Sequence, residues 1–143
     1  MIEALLDEPY LVIDFLPEQV PVNAAGQYFA IEKHLRQPRM LADLHRRFTA
    51  ILLKLNCFYD LQAGPPDGSL VSNPPPERLE SWICAEEKDL CVLLPGENAL
   101  VTLNHDDLYM TVYHPSEALA ALLEQLASAE GLFLRRPEQD PQT

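Results

Sequence analysis

Residues 9–16 read PYLVIDFL, and Pro9 and Pro17 bracket them. β-Branched and aromatic side chains fill this stretch and pack well on a pleated surface, so it predicts a strand. Alternation puts Leu11, Ile13 and Phe15 on one face, and Tyr10, Val12 and Leu16 on the other. Both faces are mostly apolar, which suits a strand with neighbours on each side. Asp14 interrupts the second face. A carboxylate there needs a partner or an altered protonation equilibrium, because an unpaired buried charge is costly. Asp14 is thus a candidate functional acid, with a structural hydrogen bond as the plainer alternative.

A second stretch of the same kind is LYMTVYH, 108–114. ALVTLN, 99–104, precedes it across His105-Asp106-Asp107, and the pair predicts a hairpin. Tyr109, Thr111 and Tyr113 share one face of 108–114. If 9–16 and 108–114 are lateral neighbours, Tyr10 and Asp14 join that face. This aromatic row, together with Trp82, is the candidate interface.

Around these strands the periodicity turns helical. In 38–56, Pro38 suits a first helical position, and Met40, Leu41, Leu44, Phe48, Ile51, Leu52 and Leu55 recur at spacings of three and four. QYFAIEKHLR, 27–36, admits a helix or a strand, with helix favoured. CFYDLQ, 57–62, fits a short strand. AGPPDGSLVSNPPP, 63–76, holds five of the thirteen prolines and predicts a loop. ERLESWICAEEKDL, 77–90, predicts a short amphipathic helix with Leu79, Trp82 and Ile83 inward. CVLLP, 91–95, is a buried run of either type. Pro115 is expected to open a last helix with the stripe Leu119, Leu122, Leu123 and Leu126. Gly131 then serves as its left-handed cap, before a final strand at 132–136.

With 63–97 set aside as a Pro-rich insertion, the order is βαββαβ. It resembles the ferredoxin-like split arrangement in element order alone. The expectation is one α+β domain over 1–137, an antiparallel sheet with helices on one face, and a disordered tail at 138–143.

The 143-residue chain carries a net charge of −12. Such a field disfavours nucleic acid and anionic membrane surfaces as partners. The charge is uneven, because Lys33, Arg36, Arg39, Arg46, Arg47 and Lys54 oppose only Asp43 within 33–54, leaving −17 on the rest. Arg36, Arg39, Arg46 and Arg47 could hold a phosphate or carboxylate, since guanidinium binds both in a two-point fashion. A solvated helix face is the plainer alternative. His34 and His45 read as part of this polar surface.

No sequence motif of a nucleotide site, a nucleophile elbow or a zinc protease is present. His114, just before a predicted helix, is the second candidate acid–base residue. His105 and His114 stand nine residues apart, roughly 30 Å along an extended strand, so they cannot share a metal there. No metal or cofactor is expected. Cys57, Cys84 and Cys91 form no CxxC pair and read as free thiols. The N-terminus has no basic region ahead of an apolar run, and no apolar run is long enough to span a bilayer, so a cytoplasmic location is expected.

Two functions follow as expectations. The first is a non-catalytic interaction or regulatory module that self-associates as a homodimer or binds another protein. The alternative is a small-molecule binder or enzyme acting on an anionic ligand, using the arginines with Asp14 or His114. An acidic mimic of nucleic acid ranks below both.

Overall fold

The computed structural model describes residues 2–137; the tail at 138–143 lies outside them. The elements in chain order are α1 (Ile2–Leu5), β1 (Tyr10–Asp14), α2 (Ala25–Leu35), α3 (Pro38–Asn56), β2 (Gln62–Gly64), β3 (Val71–Ser72) and α4 (Pro76–Glu80). A single π-helical turn, Ser81–Ala85, continues α4. Then come β4 (Leu90–Leu94), β5 (Ala99–Leu103), β6 (Tyr109–Tyr113), α5 (Glu117–Ala129) and β7 (Phe133–Arg135). All seven strands join one antiparallel sheet in the order β3-β2-β4-β5-β6-β1-β7.

The α+β class is as expected, and the two strands that decided it pair directly, Tyr10 with Tyr113 through to Asp14 with Tyr109. The four-stranded ferredoxin-like sheet is corrected. Segment 63–97 is no insertion outside the sheet; it supplies β3 and β4 and most of β2. β4 is buried at every position and pairs with β5 along its whole length. Its unbroken apolar run, LCVLL, is what a strand covered on both faces requires. The Pro-rich loop is also fastened: Asn73, at φ +44°, accepts from the Leu61 N–H at 2.9 Å and from Asn56 Nδ2 at 3.0 Å.

The main core lies between one sheet face and α3, α4, the π turn and α5, whereas α1 packs on the other face, so the helices are not confined to one face as expected. α3 contributes Leu44, Phe48, Ile51, Leu52 and Leu55, and packs against α4, the π turn and α5. The sheet answers with Ile13, Met110, Val112, Val101, Leu103, Val92 and Leu94. Each such side chain contributes about 1.5–3 kcal/mol when fully buried, so this layer dominates stability. The helix at 27–36 is helical as favoured, and runs from Ala25 to Leu35.

The start of α5 departs from expectation by two residues. Ser116, not Pro115, leads into the helix: its Oγ accepts from the Leu119 N–H at 3.1 Å and donates to Glu97 at 3.0 Å. The helix end matches. Gly131 sits at φ +74°, and the Leu132 N–H donates back to the Ala127 carbonyl at 2.8 Å. Leu132 is buried, as the left-handed helix cap favours. Arg47 completes this end by donating to the Glu130 carbonyl at 2.7 Å.

Candidate functional site

The second sheet face is treated differently along its width. Over β4 and β5 it is closed: Leu5 of α1 is buried with Cys91, Leu93 and Leu100, and Ile2, Leu70 and Tyr113 border them. Over β1 and β7, and over β6 apart from Tyr113 at the border, no helix among the described residues lies on it. Pairing fixes which side chains stand there. Tyr113 faces Tyr10, Thr111 faces Val12 and Tyr109 faces Asp14, while β7 adds Arg135 beside Val12 and Phe133 beside Asp14. Because strand side chains alternate, all eight share one face.

This face has a rigid centre and an aromatic rim. Asp14 is buried, and Arg135 donates to its Oδ2 from Nη2 at 2.7 Å and from Nε at 3.0 Å. The Phe15 N–H donates to Oδ1 at 2.7 Å. Both carboxylate oxygens are therefore engaged, and the group fastens edge strand β7 to β1. Around it, Tyr10 is 42% exposed, Tyr109 40% and Phe133 42%. The Tyr10 and Tyr113 rings lie 5.5 Å apart, tilted by 48°. Burial, then nearby Asp107, pushes the Tyr109 phenol above its usual range, so it stays neutral at neutral pH. A shallow hollow of about 530 Å³ runs between these rings, Leu6 and Arg135. Its polar groups are tyrosine and threonine hydroxyls, the Gln19 amide and Arg135, already paired with Asp14, which suits contact with a surface more than proton transfer.

The remaining candidates lie elsewhere. His114 is at the opposite end of β6 from the Asp14–Tyr109 pair, so the two candidate acid–base groups do not meet. His114 adopts φ +58°, and its ring Nδ1 lies 2.9 Å from the Asn98 carbonyl. It borders the turn before Ser116 and caps nothing. The four arginines also fail to converge. Arg36 donates to the Asp106 carbonyl, Arg46 and Arg47 pair with Asp43 at 3.4 and 3.0 Å, and Arg39 is exposed with no ion pair among the described residues. Trp82, 3% exposed, faces the main core with Arg78 stacked over its ring, so it offers no surface to a partner.

A second hollow, about 660 Å³, lies between residues 7–11 and the start of α5. Of the sequence-selected candidates it holds only Tyr10. Among the described residues no group of three or more His, Cys, Asp or Glu could hold a metal ion, and no helix is long and apolar enough to cross a membrane.

Two residues were missed. Arg135 is the partner Asp14 demanded, and the alternation of Phe133-Leu134-Arg135 could have named it. His45 was assigned to the polar surface, but it is 2% exposed. It stands one residue after Leu44 and three before Phe48, which puts it at the edge of the apolar stripe rather than among the arginines.

No protein-family model matches the chain, and no curated protein or solved structure matches it at a significant level.

Proposed function

We propose that the protein is a non-catalytic interaction module that self-associates through the β6-β1-β7 half of its second sheet face. The observation that carries this is the grouping of Tyr10, Tyr109 and Phe133, each about two-fifths exposed, on adjoining strands around a satisfied ion pair. Rigid aromatic rings over a neutral, ordered base are what contact surfaces use, since they bury area at little entropic cost. A two-fold axis through the face would stack like rows and add no new charge. Three short strands present only a few hundred Å² per copy, well below the ~800 Å² of a standard interface, so the dissociation constant is expected in the micromolar range.

Within the sheet, the run β7-β1-β6-β5 follows the spatial order of a βαββαβ unit. We read the fold as such a unit, widened by β4, β2 and β3. Three free cysteines, with Cys57 exposed, favour a reducing compartment such as the cytoplasm. The net charge of −12 disfavours nucleic acid and anionic membranes as partners.

Sedimentation equilibrium over the micromolar range tests the reading. The expected result is a reversible dimer that the double variant Tyr10→Ser/Tyr109→Ser makes monomeric with unchanged circular dichroism. Salt separates the two available faces. Association through the neutral aromatic face strengthens as salt screens the repulsion of two acidic copies, whereas docking of α3's basic side on an acidic surface weakens. A strict monomer throughout, or a dimer that salt dissociates, removes the proposal.

A further inference from the structure

His45 is the one polar side-chain atom set among the described residues that is buried with a nitrogen, Nε2, lacking any hydrogen-bond partner. It sits on α3 where two segments close over the helix. The first is the exit of the π turn. Here the Glu86 N–H donates to the Ser81 carbonyl at 2.7 Å, and Glu87 is held at φ +50°, a backbone region that disfavours any side chain. Thr49, one helical turn beyond His45, lies 3.5 Å from Cys84 of the π turn. The second is the β5–β6 connection. His105 donates its N–H to Asp89 at 3.0 Å, its ring faces the carboxylates of Asp89 and Asp106, and Arg36 donates to the Asp106 carbonyl. The titratable groups that face the His45 ring from these two segments are Glu87 and His105, and the His105 backbone also lies against it.

We propose that this end of the molecule is an acid-released latch: neutral His45 lets 86–89 and 104–107 close over α3, and its protonation drives them off while the rest of the sheet stays folded. A charged imidazole needs two hydrogen-bond acceptors or water, and the closed site leaves Nε2 without either. The closing segments are weakly held. One carries a strained residue at Glu87, and the other is held by exposed polar contacts rather than by apolar packing.

The direction is fixed by linkage. Burial holds the His45 imidazole below its usual range and the charge of His105 adds to this, while Glu87 and the His105 backbone oppose it. The opened site therefore takes up a proton at a pH where the closed site does not, so closure is favoured at neutral pH and lost as pH falls below the ordinary imidazole value. The latch does not rest on self-association: His45 and 86–89 are not among the residues of the aromatic face, and of 104–107 Asp107 adjoins it, beside Tyr109.

Hydrogen exchange of the full chain, corrected for intrinsic rate, tests it at about pH 7.5 and about pH 5.5, on either side of the ordinary imidazole value. Protection at 86–89 and 104–107 is expected to fall severalfold at the lower pH relative to α5, because only the opened site takes up the proton there. His45→Leu should abolish that difference, and His105→Asn should keep it. Equal protection at both pH values, or the same loss in His45→Leu, overturns the proposal. Should His45→Leu not fold, the His45 ring proton followed by NMR in the unmodified chain decides. It must titrate below the ordinary value and in step with those amides; titration at the ordinary value also overturns the latch.

Discussion

The two halves of the second sheet face belong to one sheet and are finished in opposite ways. Over β4 and β5, Cys91, Leu93 and Leu100 are apolar and lie under Leu5. Over β6, β1 and β7, the positions in the same rows are Thr111, Tyr109, Tyr113, Asp14 and Arg135. The apolar row is covered from within the chain, by Ile2 and Leu5 of α1 with Leu70 beside them. A row of phenols around a closed ion pair tolerates water yet still gains from a partner. The difference lies in side-chain chemistry, since one sheet carries both halves.

Four measurements would break or sharpen this contrast. The largest effect is expected at the sealed half, where Leu100→Ala should cost about 2–5 kcal/mol in denaturant unfolding, because a fully buried leucine leaves a cavity. A cost under about 1 kcal/mol would mean that α1 is not a true cover. Arg135→Ala comes next, at roughly 3 kcal/mol, since it strands the Asp14 carboxylate without its cation. The apolar pair Asp14→Leu/Arg135→Met should recover most of that loss, and failure to recover would show that the pair does more than fasten β7. Tyr109→Ala should weaken self-association by about 2 kcal/mol, roughly thirtyfold, while stability moves by less than about 1 kcal/mol. Equal effects on both would place the ring in the core rather than at a contact surface. The smallest change is expected for Leu6→Ser, within about 0.5 kcal/mol of the parent in stability. Its neighbour Leu5 is 3% exposed and Leu6 46%, so a large loss at Leu6 would erase the boundary between the halves.

Much of this was legible in residue order. PYLVIDFL and LYMTVYH announced two strands apolar on both faces, and their alternation put Tyr10, Asp14, Tyr109, Thr111 and Tyr113 together. The demand of Asp14 for a partner was also readable, and Arg135 met it. What misled was punctuation. Prolines at 65–66 and 74–76 looked like the edges of a detour, yet Asn73 ties that loop to Leu61 and Asn56, and a strand of unbroken apolar residues follows. A five-residue apolar run has no period, so LCVLL could not declare itself from sequence. His45 was hidden by company: it precedes Arg46 and Arg47, and only the helical angle puts it on the other side. The four arginines were grouped by proximity in sequence, whereas α3 directs Arg47 to the end of α5, and Arg36, at the end of α2, reaches the β5–β6 connection.

β7 is only three residues long, yet it is the sole neighbour of β1 on that flank. Its removal would bare the backbone of Val12, Ile13 and Asp14 along a stretch with few charges. Unshielded edges of that kind recruit further chains and grow into fibrils. A guanidinium clasp on one carboxylate thus doubles as the chain's protection against polymerisation, and weakening it should first be seen as turbidity on mild heating, before global unfolding.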